Sequence, residues 1–303
     1  MSLNEKLAQA ERAADRLTAS QQRQLLKSYS ETLKEIRSEL AKGFQNYGDD
    51  YVEWQKYNRL QNLEKNINKE VGKLSGKSAT RIKSGIGDQI ETQYYYTGYA
   101  LETSTRAKLG FGLLDKNVIE AAVENPLDNV GFLQRNRDNH QRLARQMREE
   151  LTQGLIRGEG FRDTADRIKN RMDVGATNTM RIVQTENHRA QTQGRLKGYE
   201  QAESYGVELK RVWTSTLDDR TRDTHQNMDG QVADEDGMFD VNGVRAEGPG
   251  LTGVAEEDIN CRCTVRVEVE DESPRVRRSR EASGSEIGEY RSYKQWKAAR
   301  INE

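Results

Sequence analysis

The stretch NCRCTVRVEVE, residues 260–270, holds both cysteines of the chain and a strict alternation. Cys261, Cys263, Val265, Val267 and Val269 fall on one side, and Arg262, Thr264, Arg266, Glu268 and Glu270 on the other. Successive side chains of a strand point to opposite faces. The pattern therefore predicts a strand with one buried face and two thiols side by side on it. Such thiols either hold something or act as small buried hydrophobes. A disulfide between them is disfavoured, because same-face neighbours on one strand meet the bond geometry poorly.

The surroundings extend the β reading. VELKRVWTST (207–216) alternates Val207, Leu209, Arg211 and Trp213 as a strand would. MFDVNGVRAEGPG (238–250) sets Asn242-Gly243 between short apolar arms, the strongest local hairpin signal. Between them, LDDRTRDTHQNMDGQ (217–231) is polar and reads as a loop or short helix. Residues 207–270 thus form a small antiparallel β-rich unit.

Everything before it reads as helix. From Leu25 the apolar residues run Leu25, Tyr29, Leu33, Ile36, Leu40, Phe44 and Tyr47, in the steps of three and four of an amphipathic helix. After YGDD (47–50) the period resumes through Trp54, Leu63, Ile67, Val71 and Leu74, predicting a helical hairpin. SGKSATRIKSGIG (75–87) is rich in Gly and Ser and reads as loop. The tyrosines at 94, 95, 96 and 99 suggest a subunit interface. Helical patterns fill 115–205, restarting after glycine at GEGFRDTADRIKNRM (158–172). The fold class is α+β, mostly α, in three blocks: helical partner-docking residues 1–112, an α+β domain at 113–270 and a polar tail at 271–303. The tail carries a basic run, Arg275 to Arg280, then a short amphipathic element with Tyr290, Tyr293 and Trp296.

Composition narrows the function classes. The chain has 303 residues, 34% hydrophobic and 32% charged, with a net charge of −1. There is no overall basic bias toward nucleic acid, so DNA contact would have to be local. No apolar run approaches the roughly 20 residues of a membrane helix, and the N-terminus lacks the apolar core of a signal peptide. Two cysteines in so long a chain exclude a disulfide framework and fit a reducing cytoplasm.

His225 and Asp258, with Cys261 and Cys263, would give one imidazole, one carboxylate and two thiolates, a tetrahedral zinc set. The alternative is a pair of buried reduced cysteines with no metal. Catalysis finds less support. Glu186 and His188 lie two apart on a helix and face different ways. Thr214 to Thr216 with Glu268 and Glu270 match the strand elements of ADP-ribosyltransferases, but the glutamates fall on the face opposite the valines. The reading carries no catalytic residues.

In order along the chain, RIVQTENHRAQTQG (181–194), VWTSTLDDRTRDTHQNMDGQ (212–231), MFDVNGVRAEGPG (238–250) and NCRC (260–263) resemble the phage Mu protein F-like family of minor head proteins. Arg181, Thr185, Glu186, Trp213, Asp218, Arg220, His225 and Arg262 carry the likeness together with the cysteines. The resemblance covers roughly residues 150–270, and the order of four motifs makes it more specific than any one of them. It implies a structural protein of a tailed-phage head, made in the host cytoplasm and placed in the virion at the head interior or portal vertex. Its implied partners are the portal protein, capsid or scaffolding proteins and packaged DNA. Relatives with Cys in place of Arg222 and His in place of Asp258 resemble zinc binders. The rival classes are a nuclease or ADP-ribosyltransferase-like enzyme using His225 and Glu186, and a DNA-binding module using Arg275 to Arg280. Arg220, Arg222 and Arg262, beside Asp218, Asp219 and Glu186, read either as an ion-pair network that orders the domain or as plain surface charge.

Overall fold

A computed structural model of the protein describes residues 2–269 and 292–301. Helix α1 (Leu3–Tyr47) is followed by a short α2 (Tyr51–Gln55), a 3-10 turn (Lys56–Asn58) and α3 (Arg59–Thr105). Helices α4 (Lys116–Glu124), α5 (Phe132–Ile156) and α6 (Phe161–Ser204) come next. Then follow β1 (Leu209–Thr214), α7 (Asp223–Gln226), β2 (Phe239–Val241), β3 (Val244–Ala246), α8 (Ala255–Asp258) and β4 (Thr264–Val269). The last described helix is α9 (Tyr293–Ile301). The protein is α+β and mostly α, with its antiparallel strands late in the chain.

These elements sort into two compact units that do not follow sequence order. Among the described residues, one unit takes the chain up to Thr18, Ser84–Asn129 and those from Gln184 onward; the other takes Ala19–Lys83 and Val130–Val183. The blocks expected at 1–112, 113–270 and 271–303 do not coincide with these units. Composition changes where element type changes, whereas α1, α3 and α6 each give residues to both cores.

In the second unit the sequence seam becomes a core. Tyr29, Ile36, Leu40, Ile67, Val71 and Leu74 pack with Leu143, Met147, Leu151, Ile168 and Met172. Each such side chain contributes about 1.5–3 kcal/mol on burial. The YGDD break is a capped turn, in which Asp50 accepts from the Val52 N–H at 2.8 Å and starts α2. Trp54, fully buried, donates its Nε1–H to the Gly48 carbonyl. A Cβ at Gly43 would lie 2.2 Å from the Trp54 ring, so glycine is what lets that ring lie on α1. A polar knot sits beside this core. Tyr29 Oη lies 2.6 Å from Thr179 Oγ1 and 3.1 Å from His140 Nε2, and His140 Nδ1 lies 2.7 Å from the Asn136 carbonyl.

Two expectations are corrected here. Residues 75–87 are helical, all within α3, and form no loop. A helix-interior glycine costs about 1 kcal/mol relative to alanine, but Leu74, Ile82, Ile86 and Ile90 continue the helical stripe and are at most 1% exposed. Burial outweighs propensity. The tyrosines do not form an outward interface: Tyr94, Tyr95 and Tyr99 lie in the chain's own core with Phe111, Tyr199 and Trp296.

In the first unit α6 comes very close to α3. A Cβ at Gly194 would sit 2.4 Å from the Ile90 carbonyl oxygen, and one at Gly198 would sit 2.6 Å from Thr97 Cγ2. β1 pairs antiparallel with β4, Trp213 opposite Val265 and Leu209 opposite Val269. Val265 and Val267 are buried while Arg266 and Glu268 are exposed, as the alternation predicts. The Val265 carbonyl accepts from Tyr199 Oη at 3.1 Å and Arg195 Nη1 at 3.3 Å, which ties β4 to α6. β2 and β3 form the Asn-Gly hairpin, with Asn242 and Gly243 both at positive φ (53° and 83°). Helix α9 docks by a buried clasp. Glu102 accepts from Trp296 Nε1 at 2.6 Å and Arg300 Nη2 at 2.8 Å, and Tyr293 stacks on Tyr96 at 3.6 Å. Glu270, the basic run Arg275 to Arg280 and Tyr290 lie outside the described residues.

Candidate metal centre

The two cysteines reach their site from the turn before β4. Strand pairing begins at Thr264, so Cys261 and Cys263 precede the ladder rather than heading it. Asn260 is at positive φ (59°) and turns the chain, and the Cys261 N–H donates to the Asp258 carbonyl. Both thiols are free and buried. Opposite them the one-turn α7 carries His225, 2% exposed, with Nδ1 3.5 Å from Cys261 Sγ and 3.4 Å from Cys263 Sγ. These three ligand atoms lie within 4.8 Å of one another.

The His225 ring is held from several sides. Trp213 packs edge-on against it at 5.6 Å, and Ser215 Oγ donates to the His225 carbonyl. Nε2 faces Glu257 Oε2 at 3.0 Å, without hydrogen-bond alignment, and Thr224 Oγ1 donates to that same oxygen. The thiols share a contact that splits them. Bonding from Cys261, and then from His225, holds Cys263 well below the usual thiol range, while Cys261 is pushed up by its bond to Cys263 and by burial.

Asp258 is not part of this cluster. Its side chain is fully buried but turned to the 252–254 loop, accepting from Thr252 N–H (3.1 Å), Thr252 Oγ1 (2.7 Å) and Gly253 N–H (3.0 Å). A carboxylate so occupied stabilises a turn. The residue that sequence reading missed is His188 on α6. It lines the same cleft, about 880 Å³, as both cysteines, and its Nε2 is sealed from solvent with no hydrogen-bond partner among the described residues. Burial holds its pKa down to about 4, against the pull of Cys263. The local i, i+2 comparison with Glu186 hid it, since nothing local says that α6 faces the cysteine turn.

Most of the remaining motif residues bond within the domain, while Arg181 and Arg220 are exposed. Asp218 accepts from Arg262 Nη1 and Nη2, both at 2.5 Å. Arg220 reaches only 3.8 Å from Asp218 and is largely exposed, while Arg222 donates to the Ile259 carbonyl. Glu186 takes no part in the expected network and lies 3.5 Å from Arg189, both side chains at most 4% exposed. Arg189 reaches on to the carbonyls of Gly250, Asn125 and Pro126. Thr185 is buried on α6 and Arg181 is exposed. Glu186 and His225 thus face different partners. Glu268 is exposed and lies 3.8 Å from Lys210, while Ser215 and Thr216 spend their hydroxyls on backbone carbonyls.

A helical body bearing a short antiparallel ribbon, with its buried thiols and imidazole gathered beside one tryptophan, defines an α+β protein, mostly α. The family model described as Phage Mu protein F like protein matches residues 145–266. Minor head protein GP7 of Bacillus phage SPP1 is 31% identical over 292 residues, 93% of each chain. The chain belongs to this phage Mu protein F-like family. The NAD(+)--arginine ADP-ribosyltransferase EFV of Enterococcus faecalis is 34% identical over 245 residues, 81% of this chain. The match spans 50% of that protein's length. No solved structure matches the chain.

Proposed function

We propose that the protein is a structural minor head protein of a tailed bacteriophage, acting in head morphogenesis through contacts with portal or capsid components. The observation that carries this reading is the end-to-end likeness to a phage minor head protein, 93% of both chains. The pairing of Asp218 with Arg262 and of Glu186 with Arg189 supports it, because these charges are engaged in holding the domain. None of the helices among the described residues is long and apolar enough to cross a membrane. In this reading the protein joins the head during assembly in the host cytoplasm and stays in the virion at the head interior or portal vertex, beside packaged DNA.

The test is mass spectrometry of purified heads, with pulldown of the tagged full chain from cells making the portal and capsid proteins. Its presence in heads and recovery of portal or capsid protein are the expected results. Absence from heads, with only host enzymes recovered, would overturn the reading. Transfer of ADP-ribose has the name of one relative behind it, and consumption of NAD by the purified chain would bring it forward.

A further inference from the structure

We propose that Cys261, Cys263 and His225 hold one zinc-class divalent cation and that His188, from α6, completes its tetrahedron. This inference stands apart from the head-protein reading and rests on the geometry of the cleft.

The spacing of the donors is the first argument. A tetrahedral zinc has bonds of about 2.3 Å to thiolate and about 2.0–2.1 Å to imidazole, which puts neighbouring S and N atoms about 3.5 Å apart. His225 Nδ1 stands 3.5 and 3.4 Å from the two sulfurs. Without a cation, a single Nδ1 cannot serve both thiols equally, since it has one proton or one lone pair to offer. With a cation between them, all three atoms point at a shared centre.

The outer contacts are the second argument. A ligating histidine turns its other ring nitrogen to a carboxylate, which fixes the tautomer and the ring plane. Glu257 stands at that nitrogen, 3.0 Å from Nε2 and a small ring rotation short of hydrogen-bond alignment, and is itself held by Thr224. The Trp213 edge fixes the remaining freedom of the ring.

His188 supplies the fourth side. Its Nε2 is buried and unpartnered among the described residues, an expensive state for a polar nitrogen unless something comes to it. It lies outside the 4.8 Å group formed by the other three, so its ring must advance to bind. Gly250 is required beside it, since a Cβ there would meet His188 Cδ2 at 2.8 Å. Charge agrees with this set. Two thiolates and two neutral imidazoles cancel the dication, and a neutral centre is the one that burial tolerates.

The test uses the full chain, purified reduced and metal-free, then loaded with Co(II) or Zn(II). The expected result is one metal per chain by elemental analysis and, with Co(II), a thiolate charge-transfer band and the intense visible bands of a tetrahedral site. Cys261→Ser with Cys263→Ser should abolish binding. Glu257→Gln should weaken it by about ten- to a hundred-fold, the range for outer carboxylates. His188→Gln should also weaken it and shift the visible bands. The last two variants keep the test valid if the serine variant fails to fold, with far-UV circular dichroism as the check. No metal above background in the reduced chain overturns the site. Binding that Glu257→Gln leaves unchanged also overturns it, and an unchanged spectrum in His188→Gln overturns the fourth ligand.

Discussion

Arg262 and Asp218 are joined by two parallel hydrogen bonds of 2.5 Å, and this fork locks the turn after β1 to the turn before β4. The Arg262 guanidinium holds the Asp218 carboxyl well below the usual carboxylate range. A carboxyl lowered in the folded state adds stability above its unfolded pKa, about 3.9, and loses it as pH falls toward the lowered value. Urea midpoints measured from pH 7 down to pH 3 should therefore fall with acid in the wild type. In Asp218→Asn the fall should be shallower, from a lower starting midpoint. Coincident curves would show that the pair adds nothing, and parallel offset ones that its contribution does not titrate in this window.

A histidine in the other unit gives a second acid-sensitive contact. Burial holds the His140 ring below its usual pKa, partly offset by its bond to the Asn136 carbonyl. The native state therefore favours the neutral ring, and its contribution is full above about pH 6.5 and declines as pH falls below that. His140→Gln should cost about 1–3 kcal/mol at pH 7.5, by loss of the ring's own bonds to the Tyr29 hydroxyl and the Asn136 carbonyl. It should also flatten the stability profile between pH 6.5 and 5. Chemical denaturation across that window is the measurement.

The clasp on α9 should break with one substitution. Glu102→Ala removes the acceptor shared by Trp296, Arg300 and the Leu109 N–H. Deleting one partner of a buried ion pair costs about 3–5 kcal/mol. Amide exchange in residues 293–301 should accelerate sharply while that of β1 and β4 stays slow. Equal protection in the variant would show that the Tyr96–Tyr293 stack is sufficient.

Two glycine substitutions should move stability in opposite directions. At Gly76 in α3, a Cβ would meet nothing within 4 Å, so Gly76→Ala should stabilise by up to about 1 kcal/mol through helix propensity. Gly194→Ala would press a methyl to 2.4 Å from the Ile90 carbonyl. A backbone atom in a packed helix cannot swing aside, so the change should cost about 1–3 kcal/mol or more despite the same propensity gain. Thermal melts of the two variants decide it.

Much of this was legible in the sequence wherever a short-range rule controls the backbone. The alternation at 264–269, the Asn242-Gly243 hairpin and the seam from Leu25 to Leu74 each rest on side-chain period or positive φ, which neighbours in sequence reveal. What escaped was decided by distant partners. Gly85 and Gly87 read as loop because their own preferences say so, and only the burial of Ile82 and Ile86 makes them helix. Asp258 read as a ligand because it lies three residues before Cys261, yet the Thr252 turn captures it. His188 read as inert because its companion lies far along the chain, beyond β1.

The sharing of α1, α3 and α6 between two cores bears on how the chain folds as it is made. The unit built on Ala19–Lys83 and Val130–Val183 has all its residues once position 183 has left the ribosome. The other unit must keep its first eighteen residues waiting for Trp213, Val265 and Trp296, which are synthesised last. At about 5–20 residues per second that wait lasts seconds or more. During it, the apolar face of the α3 segment with Tyr94, Tyr95 and Tyr99 is uncovered. The order of synthesis thus makes this unit the aggregation-exposed one.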